Sequence, residues 1–160
     1  MHFNPTLEDM SMEQIVALVG GFEGVLDLAP GPGSGHPEIA WGDHFLYYAP
    51  DGVVPQRSQP FATIVTKDYP GDTASRLDEP GRWRLNVRAG RGARQRLVPG
   101  DPAGMDTAFP HPVYPGWIAI VLPGERTMPL AEELLRAAYR SQRAMDSGSS
   151  EGTSGAMREP

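Results

Sequence analysis

The chain reads as an α+β domain: an antiparallel meander sheet packed by an N-terminal and a C-terminal helix. Three observations predict it. Helical periodicity is confined to two terminal segments, the stretches between them are short and apolar or alternating, and Pro-Gly turns separate those stretches with no strand–helix–strand alternation. A chain of 160 residues has room for one core. We place the domain at residues 11–145, after an arm at 1–10. The tail at 146–160, "DSGSSEGTSGAMREP", is expected to stay disordered because it holds too little apolar surface to offset the entropy of ordering.

The first helix is marked by Ser11 and Gln14 in capping-box spacing, followed by Ile15, Leu18, Val19 and Phe22 at helical intervals. Gly20, Gly21 and Gly24 end it, and "VLDLA" reads as a short strand. "PGPGSG" at 30–35 is a loop, and no Gly-Lys-Ser/Thr follows it to make a phosphate loop. From "HPEIAWGDHFLYY" a hairpin is expected about a type II′ turn at Gly42-Asp43, which would set Trp41 opposite His44 and Glu38 opposite Tyr47.

"FATIVT" is a further strand, sending Phe61, Thr63, Val65 and Lys67 to one side. "YPGD" and "EPGR" are type II turns, with Asp72 capping a single helical turn through Arg76. In "RWRLNV", Trp83, Leu85 and Val87 are expected inward and the arginines outward. "RGARQRL" is a short helical candidate, the stretch to Tyr114 is irregular, and "GWIAIVL" is the most apolar strand and so a central one. The last helix starts near Thr127 and Pro129, with Leu130, Leu134, Leu135, Ala138 and Tyr139 as its apolar face.

Composition narrows the function classes. There is no cysteine, which removes disulfides, thiolate nucleophiles and Cys-ligated metals and fits a reducing cytoplasm. No run is long and apolar enough for a bilayer, and the first residues lack signal-peptide order. We therefore expect a cytoplasmic protein with no membrane partner. A net charge of −6 argues against nucleic acid, although residues 80–100 carry Arg82, Arg84, Arg88, Arg91, Arg94 and Arg96 with no acidic residue. That run is either a solvated face or an anion-binding patch.

"PEIAWGDHFLYY", "PFATIVTKDYPGDTASRLDEPGRWRLNV" and "HPVYPGWIAIVLPGERT" resemble a family of small actinobacterial proteins known only as a domain of unknown function. The thirteen arginines against one lysine also resemble the usage of a GC-rich genome. The order of N-terminal helix, sheet and C-terminal helix is similar to MmcQ/YjbR-like proteins, with Tyr139 matching a helical Tyr of that pattern. "PHPVYPG" stands where that pattern has His-Met-Asn-Lys. Neither likeness implies an established activity; a DNA-binding role has been proposed for some MmcQ/YjbR-like proteins, and the acidic balance here argues against it.

Candidate site residues follow from chemistry and position. Lys67, the single lysine, ends a strand beside a Pro-Gly turn flanked by Asp68 and Asp72. It either pairs at the surface with one of them or borders the main pocket together with Asp72. His111, between two prolines, could act as an acid or base near neutral pH, or be a solvent-exposed loop residue. His36 and Glu38 stand two apart on an expected strand but have no third ligand at a recognised spacing, so no metal site and no cofactor is expected. No serine sits in a nucleophile elbow.

Three functions remain, ordered by fit. The first is a binding module for a small organic ligand, with Trp41, Tyr47, Tyr48, Tyr69, Arg76 and Trp117 around it. The second is a metal-independent enzyme using Lys67, Asp72 and His111 for acid–base catalysis. The third is an anion or nucleic-acid binder through the Arg82–Arg96 face.

Overall fold

The computed structural model describes residues 7–90, 92, 97 and 101–151. Helix α1 spans Leu7–Gly20 and helix α2 spans Met128–Glu151. Between them run β1 (Val25–Leu28), β2 (His44–Tyr48), β3 (Ala62–Val65), β4 (Arg84–Arg88), β5 (Ala108–Pro110) and β6 (Trp117–Val121). They form one antiparallel sheet in the order β1-β2-β3-β4-β6-β5, so the α+β class holds. The single departure from a meander is at the end, where β6 pairs with β4 and leaves β5 at the edge.

Register divides the sheet into two chemically distinct faces. Leu46, Ala62, Ile64, Leu85, Val87, Ile118 and Ile120 align on one face. They join the core with Ile15 and Val19 of α1 and Leu134, Leu135 and Tyr139 of α2, all nearly inaccessible. Tyr139 also holds the first connection in place: its hydroxyl donates to the Glu23 carbonyl at 2.6 Å, and its ring lies edge-on to Tyr48 at 5.9 Å. The opposite face carries Phe45, Tyr47, Thr63, Val65, Arg84, Asn86 and Trp117 and is covered by loops.

Several local expectations change. α1 begins a turn before Ser11, which therefore lies inside the helix and does not cap it. Glu38–Ala40 is a 3-10 turn, not a strand, and β2 takes β1 as its neighbour, with Leu26 opposite Tyr47. Gly42 does have the positive φ of 89° read from the sequence, but it enters β2 without closing a hairpin. Residues 108–110, expected to be irregular, form β5. β6 is interior to the sheet, one strand from the edge. Of "RGARQRL", residues 91 and 93–96 lie outside the described residues, as do 1–6 of the arm and 152–160 of the tail; α2 itself continues to Glu151.

The start of α2 shows why long-range contacts overrule a local reading. Asp106 has a φ of 52°, a left-handed conformation that Asp tolerates, and reaches the helix from outside it. Its carboxylate accepts from the N–H groups of Gly124 (2.8 Å), Arg126 (3.0 Å) and Thr127 (2.9 Å). The Thr127 hydroxyl donates to the same carboxylate at 2.6 Å instead of accepting from its own helix. Although burial opposes ionisation, these donors hold the Asp106 carboxyl below the usual range.

Candidate functional site

On the loop-covered face lies a cavity of about 550 Å³. Its floor is Thr63, Val65, Arg84 and Asn86, its aromatic walls are Phe45, Tyr47, Tyr114 and Trp117, and Tyr69–Asp72 and His111 close its rim. Two connections make the rim. The β3–β4 connection turns at Tyr69-Pro70-Gly71-Asp72, where the Asp72 N–H donates to the Tyr69 carbonyl at 2.9 Å and Gly71 has the φ of 80° that a type II turn requires. The β5–β6 connection, residues 111–116, supplies His111 and Tyr114.

At the centre is Arg84, 1% exposed. The outward position expected for it is wrong. β4 is buried on both faces because the Tyr69–Leu77 segment folds back over it, and a guanidinium there must be fully paired. Its Nη1 donates to Asp72 Oδ1 (3.0 Å) and Ser75 Oγ (3.0 Å), its Nη2 donates to Asp72 Oδ2 (2.6 Å), and its Nε donates to Asn86 Oδ1 (2.8 Å). Asn86 Nδ2 passes the chain on to Thr63 Oγ1 at 3.0 Å. Burial alone would raise the Asp72 carboxyl; the two-pronged Arg84 contact outweighs it and holds that carboxyl below the ordinary value.

His111 abuts this pair, with Nε2 3.2 Å from Arg84 Nη2 and 3.8 Å from Asp72 Oδ2. Its side chain is 3% exposed, so the solvent-exposed reading of this loop histidine does not hold. Its Nδ1 accepts two backbone N–H groups, from Val113 at 3.0 Å and Tyr114 at 3.1 Å, so the ring proton belongs on Nε2. Burial, reinforced by the Arg84 charge, pushes the imidazole down to about 4. At neutral pH the ring is uncharged.

A second polar centre borders the first. Asp43, fully buried, accepts from the Thr66 N–H (2.9 Å), the Thr66 hydroxyl (2.6 Å) and Lys67 Nζ (2.8 Å), all on Oδ1. The Tyr69 hydroxyl donates to its Oδ2. Lys67 also donates to the Trp41 carbonyl at 2.7 Å. Burial and the Asp43 contact raise the Tyr69 hydroxyl above its usual range, so it stays a donor. Tyr69 links the two centres, through its hydroxyl to Asp43 and through its carbonyl to the Asp72 N–H.

Of the residues singled out in the sequence, Asp72, His111, Tyr47, Tyr69 and Trp117 come together at the cavity. Lys67 does not: it pairs with Asp43, not with Asp68 or Asp72, and does not line the cavity. Trp41 turns its indole N–H to the His36 carbonyl at 3.2 Å, Tyr48 lies on the helix-bearing face, and Arg76 is exposed beside Glu79. His36 and Glu38 are exposed, and among the described residues no three His, Asp or Glu side chains are grouped to hold a metal ion. Sequence reasoning missed Arg84, Asn86 and Thr63. The available signal was their alternation with Leu85, Val87 and Ile64, which marks a continuous polar face.

The arginine run divides. Arg82 donates to the Ser75 and Ala103 carbonyls (2.9 and 2.7 Å) and Arg88 to Gln142 Oε1 (3.2 Å), so with Arg84 the three described members all have internal partners. Arg91, Arg94 and Arg96 lie outside the described residues. A larger cleft of about 690 Å³ shares His111, Tyr114 and Trp117 with the cavity, but its remaining lining is mostly Pro, Gly and Val with Arg88 as its charged side chain. Its chemistry is correspondingly sparse.

Among the described residues, no helix is long and apolar enough to cross a membrane. No curated protein and no solved structure matches the chain. A family match covers residues 10–150, nearly all of the polypeptide that builds the sheet, both helices and the cavity, and on that match the chain belongs to DUF6194, a family of unknown function.

Proposed function

We propose that the protein is a binding module for a small organic molecule, held in the 550 Å³ cavity on the loop-covered face of the sheet. The observation that carries this reading is the placement of a buried Arg84–Asp72 pair and an uncharged His111 within a ring of aromatic side chains. That volume falls in the range of about 300–1,000 Å³ typical of ligand sites, and few polar groups among apolar walls is the usual composition of one. Sequestration, or an accessory role in cytoplasmic small-molecule metabolism, is the function such a module would serve.

Acid–base catalysis by Lys67, Asp72 and His111 is less well supported. Lys67 lies in the other polar centre, Asp72 is fixed by two hydrogen bonds from Arg84, and the free lone pair of His111 is taken by backbone N–H groups. A base needs an available lone pair, and a buried imidazole at about 4 is a weak one at neutral pH. Binding to an anionic polymer is weakened in turn by the internal commitments of Arg82, Arg84 and Arg88.

A thermal-shift screen of the full chain against small aromatic compounds tests the proposal, since a ligand that binds only the folded state raises the melting temperature by mass action. Hits should lose their effect in Tyr47→Ala and Trp117→Ala, which remove half-buried walls. Stabilisation that survives both substitutions, or a screen without hits, would overturn it.

A further inference from the structure

The hydrogen count at the cavity centre does not balance. The guanidinium has five N–H groups, and four find acceptors in Asn86, Ser75 and the two oxygens of Asp72. The fifth, on Nη2, faces His111 Nε2 at 3.2 Å. That nitrogen already carries the ring proton, because Nδ1 accepts from Val113 and Tyr114. Asp72 Oδ2, at 3.8 Å from Nε2, is beyond hydrogen-bond range. Two buried N–H donors, both on residues that line the cavity, therefore face each other with no acceptor between them among the described residues, and buried donors in that condition are costly.

We infer that the cavity recognises a planar, uncharged carbonyl compound whose oxygen accepts from both Arg84 Nη2–H and His111 Nε2–H. This inference rests on the ligand-binding reading above and gives its ligand a chemical class. Two donors meeting near one point suit a single oxygen with two lone pairs. Charge selects within that class. Arg84 is the only cation among the lining residues and is already neutralised by Asp72, so a carboxylate or phosphate would approach the Asp72 carboxylate without a countercharge of its own. A carbonyl oxygen satisfies both donors and adds no charge. The aromatic walls, Phe45, Tyr47, Tyr114 and Trp117, favour a flat molecular body beside it.

The test is nuclear magnetic resonance on the full chain, labelled with ¹⁵N at histidine and tryptophan, titrated with acetophenone, ethylbenzene and benzoate. In the free protein the His111 proton should reside on Nε2. Acetophenone should shift that resonance and the Trp117 indole, and bind about tenfold or more tightly than ethylbenzene, which has the same ring without the oxygen. Benzoate should bind more weakly than acetophenone. His111→Phe keeps a ring and removes the donor, and should abolish the preference for acetophenone over ethylbenzene. The comparison of ligands in the unsubstituted protein stands even if that variant disturbs the loop. A ring proton on Nδ1, equal binding of acetophenone and ethylbenzene at Trp117, or tightest binding by benzoate would overturn the inference and leave the cavity reading intact. Failure of all three to move Trp117 would overturn both.

Discussion

Asp43 and Lys67 show what a single residue can and cannot announce. A lone lysine in an arginine-rich chain is visible in the sequence; its partner, 24 residues earlier in what reads as a hairpin turn, is not. The carboxylate is fully buried while the Lys67 side chain keeps 25% exposure, so the pair is asymmetric. Replacing Lys67 by Met strands a buried negative charge, although the donors from Thr66 and Tyr69 remain. The expected loss is about 3 kcal/mol, measured by urea denaturation, and Asp43→Asn in the same chain should recover most of it because the charge then disappears with its partner. A loss under about 1 kcal/mol would mean that those remaining donors suffice. Arg84 was misread for the reciprocal reason. Strand alternation assigns a side chain to a face, but whether that face meets water depends on a loop whose path is set elsewhere.

Elements were more legible than their ends. Apolar periodicity located both helices and five of the six strands among the described residues, since it records which residues must leave water. Caps and the short β5 were missed because their partners are remote: β5 is held by β6, and α2 begins where Asp106 receives three N–H groups. Asp106→Ala should therefore destabilise the fold by about 2 kcal/mol, more than an ordinary cap, because it also places a less tolerant residue at a φ of 52°. Asp106→Asn keeps the conformational tolerance and one acceptor and should cost less. Thermal denaturation of the two variants ranks them. An equal effect would mean that the carboxylate's charge, not its geometry, caps the helix.

The molecule as a whole should respond to acid through two histidines of opposite sign. His111 is uncharged when folded, with a value of about 4, so between pH 6.5 and 4 the unfolded chain binds more protons and stability falls as pH falls. His44 is raised by its hydrogen bond to Asp27, which outweighs its burial; its contribution is fully present below pH 6.5 and is lost as pH rises through the higher folded value. Wild-type stability should therefore rise as pH falls toward 6.5, through His44, and then decline between pH 6.5 and 4, through His111. His44→Asn should remove the rise above pH 6.5 and leave the slope of the denaturation midpoint below it unchanged. A wild-type rise that persists in this variant would show that His44 does not couple to folding. Asp72, lowered by Arg84, adds its own loss only below the ordinary carboxylate value.

At this scale Arg84 has a mechanical consequence. It stands on a rigid interior strand and holds Asp72 of one loop while lying against His111 of the other. Ser75 strengthens the clasp, accepting from Arg84 through its hydroxyl and from Arg82 through its carbonyl. Lifting the β3–β4 connection takes Asp72 and Ser75 from a buried guanidinium, whereas lifting residues 111–116 removes only a donor that faces it. The two covers are thus held unequally by Arg84, and the His111 side is the one a molecule should find easier to enter.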